Sequence, residues 1–554
     1  MSARETPSQG RPSILAPLRA PVYRALWIAT LASNVGTWMQ DVGAAWLMTS
    51  LSPSPGMVAL VRTASSLPIF LLALPAGALA DVVDRRVLLL ITQTWMLLSA
   101  VTLGVLTLAG ITTPWILLSV TFALGLGTAL NAPAWQAIIP ELVRREQIAN
   151  AVSLNSISIN LARSVGPAIG GLLIAATGPA WTFLLNAASF CGVVIVLYGW
   201  RRQSSESLLP AERIIGAVRA GLRYVRHAPA VRVLLLRSGT FIFFGSALWA
   251  LLPSLARFEL GRGPAGYGIL LGFFGVGAVA GAGILPRLRA HFSVNNLVRG
   301  ASLVFAGSLL LLAWAHHPGA TDLFMVAAGA VWLMLLSTFN SSLQTLVPGW
   351  VRGRAIAVSI LVFFGGMAFG SVLWGYVAEL FSLPVALTIA AGGVIGGAIA
   401  TWRYRLRSGE DLDLSPSIHS PMPVATPELE PQHGPVVVTV EYHIDPERWS
   451  DFARAMHRVR RIRRRDGAIR WELMRDVSDP ARYTEAFVVE SWIEHMRQHE
   501  RVTVADRAVL DKVKSFHVDA SPPRVTHYIA EPFSHRNKPG QKEKSGLSPD
   551  NYPG

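Results

Sequence analysis

Long apolar runs alternate with short polar breaks from about residue 22 to 402, and there the alternation stops. A bilayer core about 30 Å thick takes about 20 apolar residues per helix. Runs of that length fall at 23–50, 56–80, 87–109, 115–134, 150–176 and 181–200, and again at 233–258, 265–286, 296–315, 322–346, 355–380 and 384–402. The pattern predicts an all-α membrane protein of twelve helices in two six-helix halves, joined by a polar stretch at 201–232. In that stretch Ile215, Val218, Leu222 and Val225 recur at helical spacing beside Arg219, Arg223 and Arg226. This reads as a basic amphipathic helix lying on an anionic leaflet.

Beyond 402 the chain changes character. Residues 408–434 are rich in Pro, Ser and acidic groups and read as a flexible linker. Val436, Val438, Val440 and Tyr442 then alternate like a half-buried strand. Asp445-Pro446 opens a helix whose apolar face carries Trp449, Phe452, Met456 and Val459. Strands at about 469–475 and 484–490, a helix over 491–513 and a strand at 524–530 complete a β-α-β-β-α-β order, the ferredoxin-like α+β plan. The organisation is therefore a cytoplasmic segment (1–22), two bundles (23–200 and 233–402), their connector (201–232), the linker, a cytoplasmic domain (435–531) and a disordered tail (534–554).

Composition sharpens this picture. The 554 residues are 51% apolar and 15% charged, with a formal net charge of +15. Such an excess suits nucleic acid, but the arginines sit in short loops between apolar runs. Arg85, Arg86, Arg144, Arg145, Arg287, Arg289, Arg352 and Arg354 fall on one side with the connector, against Arg257 and Arg262 on the other. The positive-inside rule then predicts a multi-pass protein of the bacterial inner membrane with both termini cytoplasmic and no nucleic-acid partner. Cys191 is the single cysteine, so no intrachain disulfide forms. The first 20 residues lack a short apolar core and cleavage site, so the first long run is expected to act as an uncleaved anchor.

A charge within a span costs at least about 2.5–3.5 kcal/mol and calls for a role. Asp41, Arg62 and Arg163 are the three that stand out. Asp41 and Arg62 are equally far from the turn between the first two runs, so an antiparallel hairpin sets them at similar depth as a candidate ion pair for proton coupling. Asn155, Asn160, Asn186, Asn340 and Gln344 are candidate pore residues. No Gly-x-x-x-x-Gly-Lys-Ser/Thr loop occurs, which points to an ion gradient as the driver. One charge gains about 2.3 kcal/mol per 100 mV and tenfold accumulation costs about 1.4 kcal/mol, so one proton supports about fifty-fold pumping. In the soluble domain His495 and His499 share a helix face suited to a metal or haem. Spacing offers no further ligand, and Glu494 and Glu500 suggest an ordinary polar face. No metal or cofactor is expected.

The halves echo one another: Gln136, Pro140, Val143 and Arg144 recur as Gln344, Pro348, Val351 and Arg352 after the tenth run. Two parallel six-helix repeats around a midplane site are a transporter plan. Three stretches resemble the major facilitator superfamily. Gly77-Ala-Leu-Ala-Asp81-Val-Val-Asp84-Arg85-Arg86 is similar to its signature loop, which latches the halves on the inner side, although Val82 and Asp84 stand where Arg and Gly are common. Gly77 is the residue expected to permit close helix contact there. Gly166-Pro167-Ala-Ile-Gly170-Gly171 resembles the packing motif of its proton-driven antiporters.

The hairpin Asn34 to Asp41 with Leu67-Pro68 and Leu74-Pro75, together with Pro133 to Gln136 and Asn150 to Ser153, resembles the enterobactin-exporter-like, "transmembrane secretion effector" branch. The arginine many antiporters carry in the fourth span is absent, Thr121 standing near its place, so coupling through that arginine does not transfer. The C-terminal domain resembles the antibiotic-biosynthesis-monooxygenase type of dimeric α/β barrel, implying dimerisation through it. The resemblance implies a secondary transporter, not an enzyme, exporting a siderophore, drug or metabolite by proton antiport with alternating access. Uptake by the same fold, or a membrane-anchored oxygenase-like enzyme, are the alternatives.

Overall fold

The computed structural model describes residues 13–200, 214–315, 317–404, 406, 413–415, 417 and 432–529. Most of the expected linker, the expected tail, the first half of the connector and the side chains of Asp81, Ile215 and Val218 lie outside the described residues. The chain divides into two compact units, Met1–Leu414 and Ser415–Gly554.

In the first unit, α1 (Pro21–Leu51), α2 (Pro55–Val82), α3 (Arg85–Leu108), α4 (Pro114–Leu142), α5 (Ile148–Thr177) and α6 (Ala180–Gly199) form one half. After the connector helix α7 (Ile214–His227) come α8 (Pro229–Ser254), α9 (Pro264–His291), α10 (Val294–Trp314), α11 (Pro318–Leu346), α12 (Arg352–Leu380) and α13 (Leu383–Ala400). Helix starts follow local chemistry. Pro21, Pro55, Pro114, Pro229, Pro264 and Pro318 each occupy a first helical position, where a missing N–H costs nothing. Ser54, Asp84, Thr113, Ser293 and Ser382 accept a backbone N–H as N-caps. The echoed segments are structural equivalents: each ends in a single 3-10 turn, Arg145–Gln147 or Gly349–Val351, leading into a long helix.

Among the described residues, eleven helices are long and apolar enough to cross a bilayer. The twelfth long helix, α1, is not one of them, because Ser33, Asn34, Thr37, Gln40 and Asp41 dilute its apolar run. Part of that polarity is spent inside the half. Asn34 Nδ2 donates to Ser158 Oγ (3.3 Å) and Asn186 Nδ2 to Gln40 Oε1 (2.7 Å), tying α1 to α5 and α6.

The halves meet through α2 with α12 and α5 with α9. This closure runs from mid-span, where Gly275 abuts Ser164 and Phe70 meets Phe369, to the end carrying the α1–α2 and α8–α9 turns. Gly171 and Gly268 bring two backbones together there: a Cβ on Gly171 would stand 2.6 Å from Gly268 Cα. Thr63 Oγ1 donates to the Ala368 carbonyl (3.1 Å), Ser54 Oγ to Glu379 Oε1 (3.1 Å), and Arg257 Nη1 to Ser50 Oγ (2.6 Å) and Thr49 Oγ1 (3.2 Å). Arg257 sits in a π-helical turn, Leu255–Glu259, the kind of ladder irregularity that re-aims a side chain. Toward the opposite end the same face of α5 is uncovered: Ser153, Ser156 and Asn160 are exposed, as are Val279 and Gly283 on α9. The bundle is shut at one end and splayed at the other.

The connector helix packs on this unit by a side chain the periodicity did not single out. Tyr224 is buried edge-on against Trp350, 5.7 Å between centroids, and Gly221 faces the Arg354 side chain. Leu222, expected on the apolar face, is exposed.

The second unit is a four-stranded antiparallel sheet in the order β2-β3-β1-β4, from β1 (Val436–His443), β2 (Arg470–Arg475), β3 (Arg482–Val489) and β4 (Arg524–Ile529). Helix α14 (Trp449–Asp466) separates β1 from β2. The single helix expected over 491–513 is two, α15 (Trp492–Arg501) and α16 (Val504–Lys514), because Thr503 and Asp506 form a reciprocal capping box that starts a new helix. β1 alternates buried and half-buried residues as its sequence predicts. Beneath the helices Glu485, wholly buried, accepts from Arg463 Nε (3.1 Å) and Trp471 Nε1 (2.9 Å). Arg463→Met leaves that carboxylate without its cation and should destabilise the domain by about 3–5 kcal/mol. Hydrogen exchange of β3 amides in the purified full chain reads this. The double variant Arg463→Met with Glu485→Leu should recover most of the loss, and equal loss in both would refute the ion-pair account.

Candidate transport site

Below the closed end, α1, α2, α5 and α8 converge on one charged cluster. Arg62 Nη1 stands 3.9 Å from Asp41 Oδ2, a charge contact too long for a hydrogen bond. Their side chains are 23% and 41% accessible respectively, so the pair lines a space rather than lying sealed in packing. The Arg62 guanidinium lies over the Trp249 ring at 5.4 Å, and Arg163 lies over Trp38 at 5.7 Å. Trp38 and Trp249 are 6.3 Å apart across the two halves. The Nε atoms of Arg62 and Arg163 are buried without an acceptor. Trp46, stacked with Tyr267 at 6.1 Å and under Arg257 at 5.5 Å, roofs the cluster toward the closed end.

Small residues of α5 make this convergence sterically attainable. Gly166 abuts Trp38 and the Val35 carbonyl, Gly170 abuts Met39, and Gly171 abuts α9, with Pro167 between them. Any side chain at Gly166 would push Trp38 away from its place beneath Arg163. Trp38, Trp249 and Tyr267 are the site residues that sequence reading missed. Aromatic residues abound in these helices, and only the fold shows which rings face a guanidinium.

The remaining candidates are dispersed. Asn186 is fully buried on Gln40, which makes it a packing residue of α1 and α6 and not a pore residue. Asn160 is exposed on the uncovered face of α5, and Asn155 Oδ1 lies at 3.5 Å from Trp135 Nε1. Asn340 and Gln344 are exposed and bonded to each other at 3.2 Å.

The loop between α2 and α3 does not pack as its glycine suggested, since a Cβ at Gly77 would meet nothing within 4 Å. The reason is that this end is splayed. Asp84 caps α3, Arg85 bonds Glu141 (2.8 Å) and the Ala137 carbonyl on α4, and Arg86 donates to the last carbonyls of α6. Both arginines are used within their own half.

In the soluble unit, His495 and His499 are not on an ordinary polar face. His495 and Gln498 are buried, and His495 Nε2 lies 3.3 Å from His499 Nε2. His527 on β4 faces the pair, 4.8 Å between ring centroids. Burial, together with neighbouring His499, His527 and Arg463, pushes His495 down to about 3, and burial lowers His499 and His527 as well. The folded domain thus refuses protons that the unfolded chain accepts near pH 6.5, so stability should fall as pH drops from about 6.5 toward 3, by up to about 1.4 kcal/mol per pH unit for each such group. Limited proteolysis of the full chain across pH 7 to 4 should show this, and His495→Gln should shallow the slope; an unchanged slope would refute the assignment.

Comparison with known proteins bears on the whole arrangement. The transmembrane secretion effector family profile matches residues 12–535. The chain is 25% identical to the staphyloferrin A transporter of Staphylococcus aureus over 64% of its own length and 89% of that protein's. It is 25% identical to the multidrug efflux pump Tap of Mycolicibacterium fortuitum (72% and 98%) and 26% identical to the enterobactin exporter EntS of Salmonella choleraesuis (68% and 90%). Its fold is similar to crystal structures of the nucleoside transporter NupG, with a TM-score of 0.57 at 13% identity over 69% of this chain and 99% of that one, and of a D-xylose-proton symporter, with 0.55 at 15% over 69% and 98%. The chain belongs to the transmembrane secretion effector family of major facilitator transporters.

Proposed function

We propose that this protein exports a small molecule, of the siderophore, drug or metabolite kind, by alternating access powered through proton antiport. The observation that carries the reading is the asymmetry of the bundle: two halves sealed at one end, splayed at the other, with an ion pair at the head of the cleft. Arginine partitioning supports a cytoplasmic splayed end, and with it cytoplasmic termini. Cargo then enters from the cytoplasm and meets Asp41, Arg62 and Arg163 just below the outer seal. Relatives named as an efflux pump and an enterobactin exporter support the outward direction.

Asp41 is the proton carrier in this reading, with Arg62 as its counter-charge. The seal at Gly171, Gly268 and Arg257 opens as the inner ends close, which exposes Asp41 to the outer solution. Asp41→Asn fixes the group in its neutral state and should abolish uncoupler-sensitive export. Accumulation of candidate compounds in cells lacking the native protein, with and without an uncoupler, measures it. Undiminished proton-driven efflux in the variant would remove Asp41 from the mechanism.

The soluble domain serves in regulation or dimerisation, not catalysis. Removing residues 408–554 should leave transport largely intact while shifting the detergent-solubilised protein to a smaller assembly on size exclusion. Loss of a chemical conversion of the cargo on that deletion would instead favour the enzyme reading.

A further inference from the structure

We propose that the cargo bound at the head of the cleft is a small organic anion with a flat apolar body, such as an aromatic carboxylate. The proposal rests on the export reading and deepens it by naming the substrate class. Its basis is an imbalance of charge. Among the described residues the cluster holds two guanidiniums, Arg62 and Arg163, and one carboxylate, Asp41. Arg163 has no acidic partner among them and lies over the Trp38 ring. The two guanidiniums carry like charge within one cluster. Each keeps an Nε buried without an acceptor. An arginine placed this way costs several kcal/mol unless an anion completes it.

The donors and rings of the cluster suit the same class. A guanidinium presents parallel N–H groups that a carboxylate takes in bidentate fashion, whereas a lone halide takes them one at a time. Trp38 and Trp249, 6.3 Å apart, offer ring faces beside those donors, so an aromatic body attached to the acid finds its contact in the same place. Of the helices bordering the approach, α5 and α8 contain no Asp or Glu, and the exposed face of α5 offers Ser153, Ser156 and Asn160 below Arg163.

An anionic cargo also changes the energetics of export. With Asp41 ionised the cluster carries one net positive charge, and a monoanion brings it to neutrality. Leaving a negative interior, that anion gains about 2.3 kcal/mol per charge per 100 mV on its own account. A proton entering at Asp41 adds a second charge moving in the favoured sense. The costly leg is the return of the emptied, protonated site, which carries two unbalanced guanidiniums.

The test uses the purified full chain and three probes of one shape: 2-naphthoate, the neutral 2-naphthamide and the cationic 2-naphthylmethylammonium. Binding is read by intrinsic tryptophan fluorescence and by thermal shift. Naphthoate should bind in preference to both isosteres. Arg163→Gln should weaken it by about tenfold or more, the loss of one charged partner, and Arg163→Lys should restore part of it. Asp41→Asn should tighten it severalfold, a gain that a misfolded variant does not produce. Absence of naphthoate binding at millimolar concentration, equal or tighter binding of the cation, or indifference to Arg163→Gln would each overturn the proposal. Export of neutral or cationic compounds by the same protein in cells would sink the anion and leave the export reading standing, whereas transport of no candidate in either direction would sink the export reading itself.

Discussion

A charge buried in a lipid-spanning bundle must find its opposite, and among the described residues of this cluster guanidiniums outnumber carboxylates. Asp41 stands 3.9 Å from Arg62, and Arg163 adds a second guanidinium. The tryptophan faces beside Arg62 and Arg163 relieve part of the deficit, because the ring quadrupole attracts a cation. That attraction is worth about 0.5–2 kcal/mol, well short of what an ion pair in a water-poor cleft provides. The site is therefore held ready rather than satisfied. Its readiness depends on geometry set elsewhere, by residues that carry no charge at all.

Those residues are the glycines of α5. Gly166 and Gly170 let α1 approach closely enough for Trp38 to lie under Arg163, while Gly171 meets Gly268 on the other half. The same helix thus fixes the site from one face and seals the bundle from the other. Lipid gives no hydrophobic drive for helices to associate, so close backbone packing and a few hydrogen bonds supply the cohesion. Among the described residues the hydrogen bonds between the halves at the closed end are few: Thr63 to Ala368, Ser54 to Glu379, Arg257 to Thr49 and Ser50. A seal made of small residues and a handful of polar contacts is one that can part without leaving large buried surfaces unpaired. That suits the alternating-access cycle proposed above.

Much of this was legible in the order of residues, and the exceptions have physical causes. Apolar run length located every long helix, and alternation located β1, because both report burial along a single element. The depth match of Asp41 and Arg62 followed from counting outward from a turn. What counting could not reach was partner choice across elements. Asn186 reads as a pore residue until Gln40 is seen beside it. Gly77 reads as a packing residue, yet lies at the splayed end with nothing near. His495 and His499 read as a polar helix face because their neighbours are acidic, while the fold turns the histidines inward onto His527. The break between α15 and α16 was encoded locally by Thr503 and Asp506, a capping box inside what periodicity treats as one helix.

The soluble unit follows the opposite strategy to the bundle. Its buried carboxylates find cations: Glu485 has Arg463, and Arg465 bridges Asp466 and Asp506. Arg501 adds bonds to Glu494 and to the Asp466 carbonyl. Ion pairs satisfied this fully fix one arrangement of α14, α15 and α16 on the sheet, since breaking any of them strands a charge in the core. The contrast separates the two units by purpose. It supports the reading in which the helices recognise the cargo and the C-terminal domain has a regulatory or dimerising role.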